Sequence, residues 1–96
     1  MKTMSKPIIT TDDSEYRFVS ISDFKWCVSH NGEVQFLFHD KEFGIGPDPD
    51  GIAIYEAHKP ETEKICKDAD EVLEYLIDGV RLRDIITTVR VVERTI

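Results

Sequence analysis

The stretch "EVQFLFHDKEFGI", Glu33 to Ile45, decides the fold. Val34, Phe36 and Phe38 recur at every second position, the period of a strand with one buried face. Phe43 and Ile45 repeat that spacing further on. A two-residue turn at Asp40-Lys41 would set His39 against Glu42, Phe38 against Phe43 and Phe36 against Ile45. Both apolar pairs then share one face, as cross-strand packing needs. Asp-Lys is not the favoured Asn-Gly or Asp-Gly turn, which leaves a longer loop open. The stretch is a β-hairpin in either case.

Downstream, "GPDPDG" (Gly46 to Gly51) is loop chemistry throughout. "IAIYE" (Ile52 to Glu56) reads as a third strand, with Ile52 and Ile54 on one face. "AHKPETEKICK" reads as a crossover in which Pro60 starts a short helix. "DADEVLEYLIDG" (Asp68 to Gly79) reads as a helix: Asp68 caps it, Glu71 sits at the capping-box position, Val72, Leu73, Leu76 and Ile77 form the buried stripe, and Asp78-Gly79 stops it. Leu82 to Ile86 suits a helical turn. Thr87 to Thr95 is dense in β-branched residues and suits a last strand. Arg90 and Arg94 would then share one side of it, a small anion patch or a charged edge.

Upstream, residues 1–14 are polar and read as a mobile leader. "YRFVS" (Tyr16 to Ser20) is a candidate strand. Ser20 with Asp23 resembles a capping box, and Ile21, Phe24, Cys27 and Val28 follow at helical spacing. Asn31-Gly32 ends that helix near residue 30, with Gly32 taking the left-handed position. The element order is (β)αβββαβ. It predicts one α+β domain over residues 15–96, a small antiparallel sheet of three to five strands with two main helices packed on one face.

The chain has 96 residues, a net charge of −7 and 32% charged residues. This balance disfavours direct binding to nucleic acid or to an anionic membrane and permits binding to a basic protein surface. The charge is uneven: residues 41–78 hold eleven acids against four bases. No signal-peptide pattern and no apolar run of membrane-spanning length occurs, and there are two cysteines. A cytoplasmic protein with reduced thiols is the expectation.

Four residues invite a metal test. Cys27, His30, His58 and Cys66 have the ligand types of a tetrahedral zinc site, but their spacing matches no standard finger. The competing reading makes Cys27 a small core residue and His30 a solvated helix end. Thiol catalysis is disfavoured, because Cys27 has a buried periodicity and Cys66 sits among acids that raise its pKa. Asp48 and Asp50 match only part of a calcium loop. No glycine-rich phosphate motif occurs, and no carboxylate pair has a polar setting that would separate two pKa values. A non-enzymatic protein without a cofactor is the expectation, with zinc as the alternative.

The acidic helix is the remaining surface. Asp70, Glu74 and Asp78 fall at i, i+4 and i+8 with Glu71 beside them, opposite the apolar stripe. Acids near a helix start favour its dipole; Glu74 and Asp78, near the end, do not. A row of carboxylates on a small domain can occupy a basic groove built for phosphates. The segments "ISDFKWCVSHNGEVQFLF" and "DEVLEYLIDGVRLRDIITTVRVVERTI" together resemble short proteins of unassigned function from Gram-positive bacteria and their prophages. The resemblance implies a setting in which small acidic inhibitors occur, anti-CRISPR proteins among them. The expected function is a protein-binding module of that phage or mobile-element type. Asp70, Glu71, Glu74 and Asp78 would engage the basic surface of a nucleic-acid-handling protein. The alternatives are a zinc-bound interaction module and a small self-associating subunit.

Overall fold

The computed structural model describes residues 17–95; the expected leader over 1–14, with Tyr16 and Ile96, lies outside them. The first element is helix α1, Ile21–Ser29. The Ser20 side chain accepts from the Asp23 N–H at 3.1 Å, and Asp23 reaches back to accept from Val19 N–H at 3.2 Å. This is a capping box whose return bond lands one residue early. The left-handed stop is Asn31 (φ 64°), not Gly32. The N–H groups of Gly32 and Asn31 return to the carbonyls of Cys27 and Val28, the paired closure of a Schellman motif. The expected strand over 16–20 is absent among the described residues. Phe18 is instead a buried anchor, its ring edge-on to Phe24 at 5.2 Å.

Strands β1 (Val34–Phe38), β2 (Lys41–Asp48), β3 (Gly51–Glu56), β4 (Lys59–Cys66) and β7 (Arg90–Arg94) make an antiparallel sheet in the order β4-β3-β2-β1-β7. The first hairpin turns at His39-Asp40, not Asp40-Lys41. Both residues are left-handed (φ 52° and 64°), the pattern of a type I′ turn. Phe36 therefore faces Phe43, and Val34 faces Ile45. The slip from the expected pairing moves each partner by two residues, so every side chain keeps its face.

Two larger corrections follow downstream. "GPDPDG" is a two-residue turn, Pro49-Asp50, between strands that continue into it. The expected crossover helix at Pro60 is β4, an edge strand in which only Cys66 is buried. Proline is tolerated on an edge, where its missing N–H faces no partner.

The second main helix is not formed. Helix α2 is a single turn, Ala69–Val72, and the chain then folds into a small hairpin, β5 (Leu76–Ile77) and β6 (Val80–Arg81). Asp78-Gly79 is its type I′ turn (φ 54° and 82°), not a helix stop. Leu73 and Ile77 are buried, but Leu76 is 61% exposed, which a helical stripe would not allow. The carbonyls of Leu73 and Tyr75 accept from the N–H groups of Arg83 and Leu82 rather than continuing a helix. A 3₁₀ turn, Leu82–Asp84, leads towards β7. Val92 is the extra residue of a bulge against β1. It sends Arg94 to the helix side and Arg90 to the open side, so the expected shared face does not exist.

Among the described residues the core lies on one side of the sheet. Phe24, Cys27 and Val28 of α1, Val72 and Leu73 of the second helical segment, and Leu82, Ile86 and Val89 join Val34, Phe36, Phe43, Ile45, Ile54 and Val91 in one core. The Arg94 guanidinium ties the last strand to α1 through both Asp23 carboxylate oxygens (2.9 and 3.2 Å) and lies 4.5 Å over the Phe18 ring.

Two glycines give a paired test of this architecture. At Gly51 (φ 146°) a Cβ would come within 2.1 Å of the Cys66 carbonyl oxygen; at Gly79 (φ 82°) it would meet nothing within 4 Å. Gly79→Ala should cost about 1–2 kcal/mol, the left-handed penalty alone. Gly51→Ala should cost clearly more, because backbone must move as well. Urea unfolding of both variants measures the difference; equal losses would contradict the Gly51–Cys66 approach.

Candidate functional site

The four carboxylates expected on one helix are spread over three local structures. Asp70 is on α2, exposed, with Lys25 Nζ of α1 at 2.9 Å. Glu71 closes a capping box: its N–H donates to Asp68 Oδ1 at 2.9 Å, and its Oε1 accepts from Lys67 N–H at 2.7 Å. Glu74, in the turn after α2, takes Arg83 (2.8 Å) and Arg81 (3.5 Å). Asp78, in the β5–β6 turn, takes Lys41 Nζ at 2.8 Å and His39 Nδ1 at 3.4 Å. The i, i+4, i+8 line does not form, and three of the four acids have bases from other parts of the chain. The Lys41 ammonium and the His39 ring hold the Asp78 carboxyl below the usual carboxylate range, and Lys25 does the same for Asp70.

The metal candidates are not brought together. Cys27 and Cys66 are not joined in a disulfide and are buried in the core, whereas His30 and His58 are exposed. Among the described residues no three His, Cys, Asp or Glu side chains are placed to hold a metal ion. His30 caps α1, with its ring stacked on exposed Trp26 at 4.2 Å and Nδ1 2.6 Å from the Trp26 carbonyl oxygen. Burial, aided by Glu71 and Asp68, pushes the Cys66 thiol up, away from thiolate chemistry. Asp48 Oδ2 accepts from Asp50 N–H at 3.1 Å, a local turn bond rather than half of a cation loop.

The surface that sequence reasoning missed is the other face of the sheet, which no helix among the described residues covers. The register sets Gly46 beside Ala53, and Gly44 between Gln35 and Tyr55. The Tyr55 ring lies across Gly44, where a Cβ would meet its ring and hydroxyl at 2.6 Å. The small residues leave a recess of about 400 Å³, with Gly46 and Ala53 in its floor and Tyr55 in its wall. Glu33, Asp48, Glu63 and Glu93 line it. Among the described residues none of these four has an ion-pair partner. Arg90, opposite Leu37, is a base on this face, and it does not line the recess. The sequence signal was the alternation of Gly44 and Gly46 within a strand, a mark of close approach by another group.

Comparison with protein-family models, curated proteins and solved structures finds none that matches the chain. Among the described residues no helix is long and apolar enough to cross a membrane.

The ion pairs predict a pH signature. Asp23, Asp70 and Asp78 all have folded-state pKa values below the ordinary one, chiefly through Arg94, Lys25 and Lys41 respectively. Their stabilisation is therefore complete above about pH 4 and is lost as pH falls through the lowered values. In Lys41→Met, Asp78 should titrate closer to the ordinary value, by carboxyl-carbon NMR. An unchanged midpoint would show that Lys41 does not set it.

Proposed function

We propose that the domain is a small acidic module that acts by binding a protein with a basic surface. One observation carries this reading: among the described residues the fold pairs six of its bases internally and leaves more carboxylates than bases over. Lys25, Lys41, Lys59, Arg81, Arg83 and Arg94 all sit against acids of the same chain. The chain carries a net charge of −7, and Glu33, Asp48, Glu63 and Glu93 are among the carboxylates left without an ion-pair partner in the described residues. Such a field attracts a basic partner and speeds encounter.

The sharper form of the proposal is an inhibitor, of the kind mobile elements carry, that covers a basic groove of a nucleic-acid-handling protein. Its support is chemical: a carboxylate surface competes with phosphate for the same Lys and Arg side chains. Asp70, Glu71, Glu74 and Asp78 belong to the proposed contact. Their bases are not a bar, because exposed ion pairs are worth only about 0–1 kcal/mol and can be exchanged for a partner's.

The test is capture of a partner from the source cell by the tagged domain. The captured protein should be basic, should elute as salt is raised, and should lose nucleic-acid binding while the domain is bound. An acidic partner, or retention in molar salt, would overturn the reading. Neutralising Asp70, Glu74 and Asp78 together should slow association about three- to tenfold, with a smaller effect on dissociation, as loss of steering charge does.

A further inference from the structure

We propose that the open face of the sheet is a second contact surface beside the carboxylates at 70–78, and that its recess receives a cationic side chain, arginine by preference, from the partner's basic surface. The inference rests on the protein-binding reading above and assigns it a place.

Three features of the face point to that occupant. The first is shape: Gly46 and Ala53 floor a recess of about 400 Å³, and Tyr55 walls it, so one long side chain can enter. The second is charge. Glu33, Asp48, Glu63 and Glu93 line the recess with no base of this chain among the lining residues. By contrast, the acids at Asp70, Glu74 and Asp78 each lie within reach of a lysine or arginine of the same domain. The third is the half-exposed ring of Tyr55, 36% exposed in the middle of the sheet. A guanidinium can bond two carboxylates in its plane and rest its face on an aromatic ring. Leu37, Ile65 and Val92 are exposed apolar side chains of the same sheet and supply surface for the chain that carries the cation.

The same chemistry disfavours the other occupants. A second copy would bring carboxylate against carboxylate. Nucleic acid would be repelled. The chain's own residues 1–16 hold Lys2 and Lys6 against Asp12, Asp13 and Glu15, so they are not a basic segment.

Gly46 allows charge and shape to be tested separately. Its φ is not left-handed, and a Cβ there would meet only Glu33 Cγ, at 3.6 Å. Gly46→Val therefore fits the strand, suits β structure and fills the floor without changing charge. The probe is a six-residue arginine peptide titrated into the isotope-labelled full chain at physiological salt. Amide shifts should saturate at Gly44, Gly46, Ala53 and Tyr55. Affinity should fall about tenfold or more, one lost charge-assisted hydrogen bond, in Glu33→Gln/Glu63→Gln/Glu93→Gln. A similar fall is expected in Gly46→Val, with the amide spectrum away from the face unchanged in both variants.

Shifts confined to residues 70–78 would overturn the assignment and leave the protein-binding reading standing. Full affinity in Gly46→Val would replace the recess with diffuse charge attraction and overturn it too. Binding that appears only after Lys2→Gln/Lys6→Gln would give the recess to the chain's own N-terminal segment. No saturable binding at any site would sink both the assignment and the reading it rests on.

Discussion

The rest of the structure depends on the turn at His39-Asp40. Two consecutive left-handed residues close β1 onto β2 in one register. That register stacks Phe36 on Phe43 at 5.2 Å and brings Val34 to Ile45, on the face that α1 covers. Each later strand is laid on this pair. β3 follows through the Pro49-Asp50 turn and β4 through Ala57-His58, while β7 returns to the free side of β1. An odd slip at the first turn would carry the phenylalanines to the uncovered face and leave the helices nothing to pack on. The Pro49-Asp50 turn then sets Gly44 and Gly46 of β2 beside Tyr55 and Ala53 of β3, so the recess follows from a second turn laid on the first.

Much of this is legible in the sequence alone. The first helix carries its own start and stop, and the β1–β3 strands alternate as strands with one buried face do. The register was not legible, because both candidate turns pair apolar residues with apolar residues on the same side. β4 was hidden because an edge strand with one buried residue shows no hydrophobic alternation. Val72, Leu73, Leu76 and Ile77 misled in a specific way. Their spacing suits a helix, yet Asp-Gly between short β-prone pairs is also the strongest hairpin signal. Contacts from outside the segment decided it: Tyr75 donates its hydroxyl to the Thr62 carbonyl of β4, and Lys41 takes Asp78. The candidate site fared worse for a related reason. Acids crowded in sequence look like one surface, but the bases that meet them come from α1, β2 and the segment after β6. The recess draws its carboxylates from four separate stretches of the chain, and no linear window contains them.

The two sets of carboxylates do different physical work. Asp23, Asp70 and Asp78 fasten segments that are distant in sequence, Glu74 clasps the two sides of the small hairpin, and their charge is largely matched. Glu33, Asp48, Glu63 and Glu93 fasten nothing by ion pairing. Like charges gathered on one face cost stability in the free protein. Four unpaired carboxylates around one recess concentrate negative field there.

The position of β7 also bears on how the domain comes into being. It is the last strand of the described chain, yet its neighbour β1 is the first, and Arg94 closes on Asp23 across most of the domain. The meander β1–β4 can assemble from near neighbours as it is synthesised. The core remains short of Val89 and Val91, and α1 of its clasp, until that final segment has left the ribosome. Such long-range closure comes late and slowly. Nascent chains of this domain would spend that interval with one side of β1 unpaired, a window in which chaperones, or a neighbouring nascent copy, meet an open strand edge.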